Sequence, residues 1–115
     1  MAAQYIIDIA LFEQNMGSPS GLKKAGLVFL TLLPDWRNRV DAAMAVNNWV
    51  ALSDQLHLMK GCCSMMCATV VVHHLRLSED HLRCGRVRAL LGCLDAVDGL
   101  LHEMEGELQT VWLAT

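Results

Sequence analysis

Five residues in the middle of the chain, His57-Leu58-Met59-Lys60-Gly61, place an imidazole, an ammonium group and a glycine within about one turn of each other if they are helical. A neutral imidazole nitrogen is a good nucleophile toward a phosphoryl group, and the phosphohistidine it forms is energetic enough to be passed on. Such a carrier needs open approach for a bulky donor, a positive charge to offset the phosphoryl oxygens, and no carboxylate close enough to repel them. Gly61 leaves a bare patch one turn from His57, and Lys60 supplies the cation. No Asp or Glu occurs from Gln55 to Val72, and Asp54, the nearest acid in the sequence, should point away. The expectation is therefore an imidazole free of acidic neighbours. Inside a helix Gly61 costs about 1 kcal/mol relative to alanine, and close approach by another protein's active site is a reason to keep it.

A helix has to align these groups. Trp49, Leu52, Leu56, Met59, Cys63 and Met66 recur at spacings of three and four, which predicts a helix over about 49–67 with Asn47 or Asn48 as its N-cap. On that helix Ser53, His57, Lys60, Gly61 and Ser64 share the opposite face, so the imidazole should point to solvent. Around it, no long stretch alternates with period two, and the β-branched residues cluster only at Thr69 to Val72. The fold class is all-α: an antiparallel four-helix bundle with a short additional N-terminal helix.

The first helix is expected over Tyr5 to Asn15, closed by the turn-forming run MGSPSG with Ser18 or Ser20 as the next cap. A second, about Gly21 to Val46, offers Leu22, Leu27, Phe29, Leu30, Leu33, Trp36, Val40, Ala43 and Met44 as its core face, and Pro34 should kink or break it. A fourth, Ala68 to Arg83, stops at Gly85, and the last runs from Val87 to about Leu113. Trp36 and Trp49 read as core aromatics, and Glu79-Asp80 as a solvated face. Gly85, Gly92, Gly99 and Gly106 recur every seven residues. A close helix crossing inside the bundle is the favoured reading of that row, with a weak homodimer seam as the sharper alternative.

A length of 115 residues predicts one domain, residues 1–115. At 54% hydrophobic residues the chain is apolar for a soluble domain, yet charge interrupts its apolar runs before they reach a membrane span. The N-terminus lacks the basic region of a secretory signal, so a cytoplasmic protein without membrane contact is expected. A net charge of -3 argues against nucleic acid as the ligand and favours a protein partner. The odd set of Cys62, Cys63, Cys67, Cys84 and Cys93 suits reduced thiols better than a disulfide framework.

At this point the residues resemble the histidine-containing phosphotransfer (HPt) domains of multistep two-component phosphorelays. Their motif, (A/S)-H-x-L-K-G followed by small residues and then G-A, stands here as Leu56-His57-Leu58-Met59-Lys60-Gly61-Cys62-Cys63 and then Cys67-Ala68. Asp8, Phe29, Pro34 and Trp49 also stand where such domains usually have those residue types. The resemblance implies that His57 is phosphorylated, that Lys60 supports the phosphoryl group and that Gly61 clears the docking surface. Ser53, Leu58 and Ser64 would complete the partner contact. It implies a carrier rather than an enzyme, either free-standing or the C-terminal module of a hybrid sensor histidine kinase. The phosphoryl group would pass between the receiver domain of a hybrid sensor kinase and that of a response regulator. No cofactor of its own is expected; Mg²⁺ would belong to the receiver. Three departures stand out: Leu56 replaces the small residue, Met59 the leucine, and Cys67 the glycine that ends the helix, so the third and fourth helices could join differently.

Two rivals stand beside this reading. Cys63 with Cys67, Cys62 with Met66, and His73, His74, His81 and Cys84 would suit a soft-metal site, although no zinc-ligand spacing is present. A helical interaction module without phosphotransfer would use the excess apolar surface and leave His57 incidental.

Overall fold

Asp8 opens the first helix: its Oδ1 accepts the Leu11 amide at 3.1 Å, a donor that a first turn otherwise leaves orphaned, and its carbonyl accepts the first intrahelical bond from the Phe12 amide at 2.9 Å. The computed structural model describes residues 5–16 and 19–112, with side chains for 5–15 and 21–110. Helix α1 is Ile9–Met16, so the expected start at Tyr5 is four residues too early. Residues 5–8 are instead non-helical. The Ile6 and Ile7 amides donate to the Glu107 carboxylate at 2.7 and 3.1 Å, and the Asp8 amide donates to the Cys67 carbonyl at 3.0 Å.

Helix α2, Pro19–Ala45, begins with a proline in its first turn, where the missing N–H is no loss. Ser20 lies inside this helix and is not its cap, while Ser18 falls outside the described residues. Nor does Pro34 break the helix, which continues through it. An interior proline costs about 3 kcal/mol, against about 2 kcal/mol for each large apolar side chain buried on either side of it. Phe29, Leu33 and Trp36 are all buried, the two aromatic rings meeting edge to face at 5.3 Å. Leu27, expected in the core, is 57% exposed.

Three similar reversals connect α2 to α3 (Trp49–Met65), α3 to α4 (Thr69–Arg83) and α4 to α5 (Val87–Glu107). Each turns on a left-handed residue, Asn47, Cys67 or Gly85, with φ of 53°, 57° and 70°. In each, that residue's amide bonds three positions back and the next amide five positions back: Cys67 N to Ser64 O and Ala68 N to Cys63 O, both 3.0 Å, are the central example. The cysteine-for-glycine departure at Cys67 therefore leaves the joint between α3 and α4 in the form a glycine would give it. A left-handed L-residue costs roughly 1–2 kcal/mol, and the full burial of Cys67 and Ala68 helps to hold it.

These turns lay α2 against α3, α3 against α4, and α4 against α5. Trp36, Phe12, Leu52, Leu56, Leu75 and Met104 lie in the core between them. Trp49 does not: at the first turn of α3 it is 36% exposed. Helix α5 also ends earlier than expected, at Glu107, and continues as a π-helical turn over Leu108–Trp112.

The glycine row does not mark a close crossing. A Cβ built on Gly92, Gly99 or Gly106 would meet nothing within 4 Å, so no neighbouring helix requires their smallness. Gly99→Ala is accordingly expected to stabilise the fold by about 1 kcal/mol, read as a higher melting temperature at unchanged helical content.

Candidate functional site

Asn48 begins the helix on which the candidate residues sit: its side-chain oxygen accepts the Ala51 amide at 3.1 Å. Burial of Leu52, Leu56, Met59 and Cys63 then fixes the rotation of α3. That rotation turns Ser53, His57, Gly61 and Ser64 outward. His57 lies halfway along the helix with its side chain 75% exposed. Leu58 beside it is 53% exposed, whereas Lys60 is half-buried. A Cβ at Gly61 would meet no atom within 4 Å, so this part of the surface is open.

The expectation of no acid near the imidazole is wrong. Glu79 reaches across from α4 and places Oε2 3.6 Å from His57 Nδ1 and Oε1 2.8 Å from Lys60 Nζ. The Lys60 approach is a charge contact rather than an aligned hydrogen bond, and 3.6 Å is likewise beyond hydrogen-bonding range. Glu79 is thus not part of a solvated face but half-buried in the seam between two helices. Its placement follows from the register of α4. Val71, Leu75 and Ser78 are the positions that α4 buries, and Glu79, four residues after Leu75, flanks that stripe on the side toward α3. Asp80, by contrast, turns to Arg83 at 2.6 Å.

With the Nδ1 edge of the ring toward Glu79, Nε2 has no partner among the described residues. A carboxylate near Nδ1 favours the tautomer carrying its hydrogen there, which leaves the Nε2 lone pair available. The flanks of this site are shallow and open. On one side Trp49, Val50, Ser53, Glu79, Leu82 and Arg83 line a groove of about 290 Å³. On the other, Val28, Phe29, Leu32, Cys62, Met65 and Met66 are among the walls of an apolar hollow of about 200 Å³.

Cys62 and Cys63, the cysteines that follow Gly61 on α3, are held as thiols. Burial raises the Cys62 thiol, and burial together with the neighbouring Cys62 pushes Cys63 up to about 12, so near neutral pH both stay protonated and unreactive. Among the described residues no three His, Cys, Asp or Glu side chains come together to hold a metal ion. The cysteines and histidines of the soft-metal rival therefore do not gather into a set of three there. His73 and His74 stack edge to face at 5.5 Å on α4 without further convergence. No helix among the described residues is long and apolar enough to cross a membrane.

Of the candidates on α3, the structure brings His57, Lys60, Gly61, Ser53, Leu58 and Ser64 to one side of the bundle and adds Glu79 from α4. No curated protein and no solved structure gives a significant match to the chain. A family model for the Hpt domain, however, matches residues 27–111, which span α3 and α4 entirely together with most of α2 and the whole of α5. A chain whose described elements are all helical, matched over more than half its length in this way, belongs to the Hpt-domain family, whose members are phosphotransfer carriers that meet receiver domains in phosphorelays.

Proposed function

We propose that His57 is the phosphorylated residue, taking a phosphoryl group from an aspartate of one receiver domain and giving it to an aspartate of another. The carrying observation is an imidazole, 75% exposed in mid-helix, beside a glycine over which nothing stands within 4 Å. The Nε2 lone pair attacks the phosphorus of the aspartyl phosphate, the N–P bond forms, and the P–O bond to the aspartate breaks with its electrons leaving on the carboxylate. Passing the group on is the same exchange in reverse, onto the carboxylate of the second receiver. The donor is the receiver of a hybrid sensor kinase and the acceptor that of a response regulator, in the cytoplasm. Each brings its own Mg²⁺, which offsets phosphoryl charge during transfer.

Gly61 lets a receiver come within reach, and Ser53, Leu58 and Ser64 surround the imidazole with an apolar centre and a polar rim, the usual make-up of a transient interface. Lys60 supports the transferring group. Replacing a single charge-assisted contact of this kind should slow transfer about tenfold without abolishing it, so Lys60→Ala is expected to be slow but complete in a time course.

The direct test mixes the chain with a receiver domain carrying radiolabelled aspartyl phosphate. Label that moves to this chain, is lost in acid and survives base, and maps to the peptide containing His57 is the expected result. A folded chain that takes no label from any receiver would leave the phosphotransfer reading without support.

A further inference from the structure

Lys60 is not idle in the unphosphorylated protein: Glu79 holds its Nζ at 2.8 Å, and the same carboxylate lies 3.6 Å from His57 Nδ1. The Lys60 and Glu79 side chains are only 25% and 20% exposed, so solvent screens their contact less than a fully exposed one. A phosphoryl group arriving on Nε2 brings up to about two negative charges. It then competes with Glu79 for one ammonium group. If Lys60 stays, the phosphoryl group sits near a carboxylate with no cation of its own. If Lys60 swings to the phosphoryl group, Glu79 is left half-buried and unpaired beside it. Arg83, which lines a groove with Glu79, is turned to Asp80 at 2.6 Å.

Both arrangements raise the phosphorylated form relative to the free one. We infer that Glu79, through its hold on Lys60, is a positioning residue that keeps the phosphohistidine high in energy, so that the group is passed on to a receiver rather than retained. The inference rests on the phosphotransfer reading and adds to it a determinant of which way the exchange lies.

The experiment equilibrates the full chain with one receiver domain and limiting labelled phosphoryl groups, then measures the ratio of labelled carrier to labelled receiver. That ratio depends on the free energies of the separate phosphorylated and unphosphorylated forms and not on docking or rate. Glu79→Gln should move it toward the carrier by about fivefold, the upper end for a partly screened ion pair. In a Lys60→Ala background the same substitution should move it by less than about twofold, because the partner it frees is gone. Glu79→Asp, which keeps the charge but shortens the reach, should fall between and covers the case in which the glutamine variant does not fold.

An unchanged ratio in Glu79→Gln, or a shift toward the receiver, overturns the inference. So does an equal shift in both backgrounds, which would mean that Glu79 acts on the imidazole or phosphoryl group directly. Absence of label on the wild-type chain would instead remove the phosphotransfer reading beneath it.

Discussion

His57→Gln is expected to take up no label from a phosphorylated receiver under conditions that label the wild-type chain fully, a loss of more than about a thousandfold, since nothing replaces the nucleophile. The glutamine side chain has similar reach, but its nitrogen lone pair is delocalised into the amide and does not attack phosphorus. Stability should barely move. The imidazole is 75% exposed, and surface substitutions of this kind usually stay within about 0.5 kcal/mol. The Lys60–Glu79 contact survives the change, because it does not pass through the imidazole. Circular dichroism and a melting curve run beside the transfer assay check both halves. Unfolding of the variant would contradict the outward placement of this side of α3, while transfer at the wild-type level would move the acceptor to another residue.

Gly61→Leu is expected to separate stability from function with opposite signs. Leucine is the better helix former by about 0.8 kcal/mol, and the space above Gly61 is empty out to 4 Å, so the melting temperature should rise. The added isobutyl group then stands one turn from His57 on the surface that a receiver must cover. Near-attack geometry tolerates little displacement, and a misplacement of about 1 Å can cost a hundredfold. Transfer should fall at least that far. A variant that is both more stable and still active would show that receivers approach without crossing Gly61, and the approach would then have to come over the groove at Ser53.

The contrast between what the residue pattern disclosed and what it concealed is physical. Along α3 the apolar stripe Leu52, Leu56, Met59, Cys63 and Met66 is buried as its spacing implies, and the outward face follows from it by rotation alone. Chain reversals were legible where their chemistry is local, as with Gly85 and the Asn48 cap. Glu79 was hidden because spacing reports neighbours on the same helix, whereas this carboxylate meets His57 from the adjoining one. The glycine row misled for a related reason: periodicity shows that residues share a face but not whether anything faces them. Trp49 shows the weakness of residue type as a guide to burial at a helix end, where the first turn projects beyond the core. Tyr5 to Asp8 read as helical because of their apolar character, but their amides are satisfied by groups 59 to 101 positions away, beyond any local rule.

That last arrangement has a consequence for the order in which the chain folds. The three joints among α2, α3, α4 and α5 are tight and close small loops, so these helices can pair early at little entropic cost. The N-terminal segment has nothing to dock against until then. Its acceptors are a carbonyl in the α3–α4 turn and a carboxylate at the far end of α5, and both take their places only once the helices have assembled. Ile7 and Phe12, though fully buried in the finished core, should therefore be structureless in the folding transition state. Trimming either to alanine should leave the folding rate nearly unchanged and show itself as faster unfolding, which makes the N-terminal segment the latch that sets how long the folded bundle lasts.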